Sequence, residues 1–152
     1  MFYEPDKIDR GLPFNQFKGC VVPHPAGWIS TTSRTGRVSL APYSQFNSLG
    51  YDSPYVMFAA SAHPFVVRRK DSVRNSEEPY EFVFNMATWN LREAVNTTSR
   101  YDDPDVNEFE ITGLEPIPLR LVKPPRVAKR SPRRVREVRW PPEAPARVFQ
   151  GR

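Results

Sequence analysis

Residues 28–58, WISTTSRTGRVSLAPYSQFNSLGYDSPYVMF, constrain the chain most, because they alternate strand-forming runs with turn residues at close spacing. Residues 26–32 read as a strand with Trp28 and Ile29 as its apolar content. Ser33-Arg34-Thr35-Gly36 is a turn, and Gly36 is available for a positive φ. Residues 37–42 return as a second strand, with Pro42 at its end or in a bulge, because proline cannot donate to a ladder. Residues 45–49 alternate weakly and residues 50–54 turn again. Tyr55-Val56-Met57-Phe58-Ala59 is apolar enough to read as a fully buried strand. Proline punctuates the rest as well, at 17 of 152 residues against a usual ~5%.

On either side the signals are shorter. Residues 15–20 suggest a helical turn, and Pro23-His24-Pro25 imposes extended backbone on its neighbours. His63-Pro64 ends the apolar strand. Residues 71–78 read as a short helix with Asp71 or Ser72 as N-cap. Residues 81–86 alternate as a strand, with Phe82, Phe84 and Met86 on one face. Residues 88–97 predict a helix that Thr88 could cap, with Trp89, Leu91, Ala94 and Val95 as a rough apolar stripe. Residues 101–107 are an acidic loop, Phe109 and Ile111 lead into Gly113, and residues 114–122 are an extended segment broken by prolines. There is no internal repeat.

Charge divides the chain at about residue 128. Residues 119–152 hold 11 of the 22 Lys and Arg and only two acids, so the overall +5 comes wholly from the last quarter. That segment is rich in Arg and Pro, with too little alternation for a strand and too short a stripe for a helix, and is expected to be disordered. Its basic residues and Trp140 could contact phosphates and stack a base. The expected organisation is therefore one domain, 1–128, followed by a basic tail, 129–152.

The single cysteine, Cys20, excludes an internal disulfide and lies in an apolar run, so a structural thiol is expected rather than a nucleophile. Two histidines and one cysteine give no metal-ligand spacing. The N-terminus has no apolar leader, and no window is long enough to span a membrane, which points to the cytoplasm. Carboxylates cluster only in Asp102-Asp103-Pro104-Asp105 and Glu77-Glu78. No Gly-rich phosphate loop or nucleophile elbow is present, so no catalytic side chain is assigned. If the protein is an enzyme, a cofactor carries the chemistry.

Two constellations could hold one. Arg68-Arg69-Lys70 precedes a helix start where Ser72 adds a hydroxyl, a combination suited to phosphate but equally to a solvated basic run with a helix cap. Residues 39–44, SLAPYS, offer small side chains and a carbonyl released from the ladder, as a planar cofactor needs. An edge strand with a proline bulge reads the same way.

Six blocks in order, WISTTSRTGRVSLAPYSQFN, PYVMF, RKDSVRN with EFVFNM, LREAVNTTS, EFEITGL and KPPRVA, together resemble the flavin reductase-like family, FMN-binding split-barrel proteins of the flavoredoxin type. The resemblance covers about residues 18–128. It implies a mainly β fold, a Greek-key split β-barrel with flanking helices, and a homodimer with FMN near the subunit interface. It further implies electron transfer from NAD(P)H to flavin, with a flavoprotein oxygenase as a partner. By the same resemblance, Ser30, Thr31 and Thr32 lie near the ribityl phosphate. Ala41, Pro42, Tyr43 and Ser44 lie near the isoalloxazine ring, with Asn47 beside them. Lys70, Asp71 and Ser72 match the phosphate-side motif, with serine where threonine is more usual, and Asn96 and Ser99 match a further flavin-side stretch. After KPPRVA the family continues with strands that complete the barrel, whereas this chain continues KRSPRRVREVRW. The expectation is a truncation or frameshift near Ala128, with those strands missing and the flavin site and dimer weakened. The rival reading is a degenerate split barrel whose basic tail contacts nucleic acid.

Overall fold

The computed structural model of the protein describes residues 21–50, 55–60, 70–77, 81–100, 103 and 106–128, together with the backbone of 136–139. Strands dominate it. A four-stranded antiparallel sheet runs in the order β2 (Val38–Tyr43), β1 (Gly27–Thr32), β5 (Glu81–Asn85), β8 (Arg136–Arg139). Two ribbons accompany it: β3 (Phe46–Ser48) with β4 (Val56–Phe58), and β6 (Pro116–Ile117) with β7 (Arg126–Val127). The helices are short: α1 (Asp71–Glu77), α2 (Arg92–Thr97) entered through a 3-10 turn at Trp89–Leu91, and α3 (Glu108–Thr112).

The first hairpin forms where the sequence predicts it. Gly36 takes φ 83°, and the turn closes with Ser33 and Arg37 bonded through backbone and through the Ser33 hydroxyl, which accepts from the Arg37 N–H at 3.0 Å. Gly27 pairs with Tyr43 and Thr32 with Val38, so Pro42 lies inside β2 rather than at its end. β2 is an edge strand of the sheet, which is where a strand tolerates proline.

β1 pairs on both sides and is buried along almost its whole length. Trp28 and Leu40, on one face of the sheet, form a core with Leu91, Phe109, Leu114 and Val127. Each such side chain contributes about 1.5–3 kcal/mol on burial. The Trp28 indole N–H donates to Thr98 Oγ1 at 3.0 Å, so its polar edge is satisfied without leaving the core.

A buried polar hub joins the strands to the 123–127 segment. Asn85 Nδ2 donates to the Trp28 carbonyl at 3.3 Å and to Ser30 Oγ at 3.1 Å, and Asn85 Oδ1 accepts from the Val127 N–H at 2.9 Å. Ser30 Oγ in turn donates to the Pro125 carbonyl. On the opposite face of β1, Thr31 accepts from Asn75 of α1 at 3.4 Å.

The β3–β4 ribbon packs on the sheet through aromatic pairs. Phe46 stacks on Phe84 at 4.7 Å and Phe58 meets Phe82 edge-on at 5.1 Å. Gly27 makes room for this: a Cβ there would come within 2.3 Å of the Phe46 ring.

Several expectations are corrected. β4 is not fully buried, since Tyr55 and Met57 point to solvent from a ribbon that has only one partner strand. In β5 Phe82 and Phe84 do share one face, half-buried under the ribbon, and the opposite, closed face carries Val83 and Asn85. Ser72 is buried inside α1 rather than capping it, and the Lys70 carbonyl accepts from the Val73 and Arg74 N–H groups. Thr88 precedes the 3-10 turn without a side-chain cap bond, and Trp89 is exposed. Residues 108–112 are helical, capped by Asn107 Oδ1 on the Phe109 N–H and ended by Gly113 at φ 62°. Arg136–Arg139 form a strand where the composition predicts none. Cys20, His63, Arg68, Arg69, Trp140, residues 51–54 and the remainder of 129–152 lie outside the described residues. No helix among the described residues is long and apolar enough to cross a membrane.

Candidate functional site

The outer surface of β2, the start of α1, the end of α2 and the approach to α3 enclose one cleft. Ala41, Pro42 and Tyr43 form one wall, Lys70, Asp71 and Ser72 a second, and Thr98, Ser99 and Arg100 a third. Four basic side chains line it, Arg37, Lys70, Arg74 and Arg100, against three carboxylates, Asp71, Asp103 and Glu108. Its enclosed part is only about 80 Å³, below the ~300–1,000 Å³ of a typical ligand pocket. A ligand here lies along an open groove rather than inside a cavity.

A wider hollow of about 420 Å³ adjoins it, sharing Pro42 and Ser99 and continuing to Trp89, Arg92, Val95 and Asn96. One end of the combined groove is thus basic and hydroxyl-rich, and the other is flat and mostly apolar.

The side chains are held by identifiable contacts. Lys70 Nζ sits 5.4 Å from the centroid of the Tyr43 ring, so the two walls meet through a cation–π contact. Asp71 Oδ1 pairs with Arg74 at 2.8 Å one turn along α1. The pair is largely exposed and adds little stability, but it orients the guanidinium. Glu108 Oε2 accepts from the Leu40 N–H at 3.2 Å and Oε1 from the Ser39 hydroxyl at 3.4 Å, which fastens α3 to the free edge of β2. Ser99 Oγ donates to the Asn96 carbonyl at 2.6 Å. Because α1 has only seven residues, anion attraction in the cleft comes mainly from these side chains rather than from a helix dipole.

Of the residues that sequence reasoning marks, the structure brings Ala41, Pro42, Tyr43, Lys70, Asp71, Ser72 and Ser99 into the cleft, and Asn96 into the adjoining hollow. Ser30 and Thr31 have no accessible surface, and their hydroxyls bond Pro125 and Asn75 instead. Thr32 Oγ1 is buried and bonds nothing among the described residues. Ser44 and Asn47 line neither hollow, and Asn47 Oδ1 accepts from the Ser48 N–H. Sequence reasoning missed Arg37, Arg74, Arg100 and Glu108. Only Arg74 had a local signal, three residues after Asp71 on a predicted helix.

The donor set fits FMN: four cations outnumber the three carboxylates and, with the hydroxyls of Ser72 and Ser99, suit a phosphate, and Ala41, Pro42 and Tyr43 offer a shallow wall for a flat ring.

Comparisons with known proteins agree in direction. No protein-family profile matches the chain. An uncharacterised protein of Aquifex aeolicus is 39% identical over 109 residues, 72% of this chain and 55% of its own length. The uncharacterised protein BH2278 of Halalkalibacterium halodurans is 32% identical over 129 residues, 85% of this chain and 61% of its own. The chain therefore spans a little over half the length of these relatives. Among solved structures, nitrilotriacetate monooxygenase component B from Bacillus cereus superposes with a TM-score of 0.73 at 25% identity, covering 84% of this chain and 62% of its own. A split-barrel protein of Shewanella frigidimarina assigned as a flavin reductase gives 0.61 at 28% identity, covering 71% and 51%. Flavoredoxin of Desulfovibrio vulgaris gives 0.60 at 18%, covering 72% and 56%, a likeness of fold.

Proposed function

Because this chain carries the fold of the flavin reductase-like split-barrel proteins, we propose that it binds FMN in the groove along β2 and works as a flavin-linked oxidoreductase. The observation that carries the reading is a convergence. Lys70, Asp71 and Ser72, far from residues 41–43 in sequence, line one cleft with them, and the Lys70 ammonium lies 5.4 Å from the centroid of the Tyr43 ring.

In this reading Lys70, Arg74 and the Ser72 hydroxyl hold the phosphate, and Asp71 keeps Arg74 aimed at it. Ala41, Pro42 and Tyr43 flank the ring, with Ser99 and Asn96 on its far rim. Ser30 and Thr31 act from behind, by fixing β1 against the 123–127 segment and α1. Bound flavin would supply the redox chemistry, accepting electrons from NAD(P)H and passing them to an acceptor such as a flavoprotein oxygenase. A second copy of the chain completes the site in this proposal. The β3–β4 ribbon offers the surface for it, with Leu49, Tyr55 and Met57 exposed together.

The test is titration of purified protein with FMN, followed by visible flavin absorbance, then NAD(P)H consumption by the loaded protein. Saturable uptake with turnover supports the reading. A protein that takes up no FMN refutes it.

A further inference from the structure

The hollow beyond Pro42 and Ser99 has a chemistry of its own. Among its lining residues Arg92 carries the one formal charge, and the walls are Pro42, Val95 and the Trp89 indole. Trp89 is 78% exposed, an unusual position for so large an apolar ring. Arg92 is fixed beside it. The guanidinium carbon lies 4.7 Å from the indole centroid, NH1 donates to the Trp89 carbonyl at 3.1 Å, and Nε is 3.3 Å from Glu93 Oε1.

That arrangement leaves most of the guanidinium's five N–H groups available. Its partner Glu93 has a side chain 81% exposed, and an exposed pair of this kind is weak, so a better-fitting carboxylate displaces it. The indole shields one face of the cation from water, which strengthens pairing at its edge. The hollow is shallow and open, so a ligand here lies along its wall rather than inside a cavity. The first cleft, with its several cations, suits a multiply charged phosphate. One cation among flat apolar walls suits a monoanion with a flat apolar body.

We propose that Trp89 and Arg92 form a binding platform for a planar aromatic carboxylic acid, with the carboxylate forked by Arg92 and the ring laid against Trp89 and Val95, on the side of the hollow away from Pro42. The platform goes beyond the flavin reading and does not depend on it.

Calorimetry on the full chain with three probes tests it: 2-naphthoate, the uncharged 2-naphthamide, and cyclohexanecarboxylate, which keeps the charge without the flat ring. Naphthoate is expected to bind at least about tenfold tighter than either. Arg92→Gln removes that advantage and leaves naphthamide unchanged, whereas Trp89→Leu weakens both naphthyl probes. Circular dichroism of both variants should match the parent, since both side chains are exposed. The platform is overturned if naphthoate binds no tighter than naphthamide, if Arg92→Gln leaves it unchanged, if FMN displaces it one for one, or if Trp89→Leu splits a dimer. FMN titrated separately keeps the two readings apart: naphthoate binding without FMN uptake sinks the flavin reading alone, and the reverse result sinks the platform alone.

Discussion

The Asn85 amide is bonded at both ends inside the protein, to the Trp28 carbonyl and Ser30 hydroxyl on one side and the Val127 N–H on the other. Leucine has nearly the same shape and none of these groups. Asn85→Leu therefore leaves the Val127 N–H without its acceptor, while the Ser30 hydroxyl keeps its bond to the Pro125 carbonyl, at roughly 1–3 kcal/mol for the orphaned N–H. The expected result is a thermal midpoint lower by roughly five degrees, on the scale of a few degrees per kcal/mol for a chain of this size. An unchanged midpoint would show that water replaces the amide. Lys70 is the opposite kind of residue, half-buried on the cleft wall with its ammonium 5.4 Å from the centroid of the Tyr43 ring. Lys70→Ala should weaken FMN binding by roughly 10–100-fold, the worth of one charge-assisted contact, with the thermal midpoint falling less than for Asn85→Leu. Sequence made Lys70 legible, because it sits in a basic cluster before a helix. It could not show that Ser30 and Thr31 face inward, since three hydroxyls in a row look alike until the neighbouring strands cover them.

Among the elements, the first hairpin was the easiest to read: alternation, a turn and Gly36 all point the same way. α3 was the hardest. Glu108-Phe109-Glu110-Ile111-Thr112 alternates polar and apolar as a strand would, yet its ends carry the true signal, Asn107 as cap and Gly113 in the left-handed region. The 3-10 turn defeats the stripe drawn through residues 89–95 for a related reason. Its tighter winding shifts the phase, so Leu91 enters the core and Trp89 leaves it. α3 also closes a sheet edge, through Glu108 on the Leu40 N–H. Glu108→Ala should cost about 1.5–3 kcal/mol. It should also accelerate hydrogen exchange at the Leu40 amide well before that of Ile29, which lies in the central strand. Equal acceleration at both would mean that the whole sheet loosens and that Glu108 is not an edge clamp.

At the scale of the whole molecule, the mainly β fold was legible because short runs and prolines leave few alternatives, and the ordered blocks pointed to one family of folds. The groove was only half legible. Residues 41–43 and 70–72 were visible as motifs, but Arg37, Arg100 and Glu108 join them only through the return of the chain, which no local pattern records. The apolar side chains on the β3–β4 ribbon bear on assembly. Met57→Asp puts a charge into the surface proposed for a second copy, and sedimentation should then show monomer where the parent shows dimer. A parent that is already monomeric at working concentration removes that surface from the proposal. The hub around Asn85 also has a consequence in time. The Ser30 hydroxyl waits for a carbonyl 95 residues further along the chain, and contacts of such long range are slow to form. During synthesis, then, the central strand stays without its last polar partners until Val127 has left the ribosome.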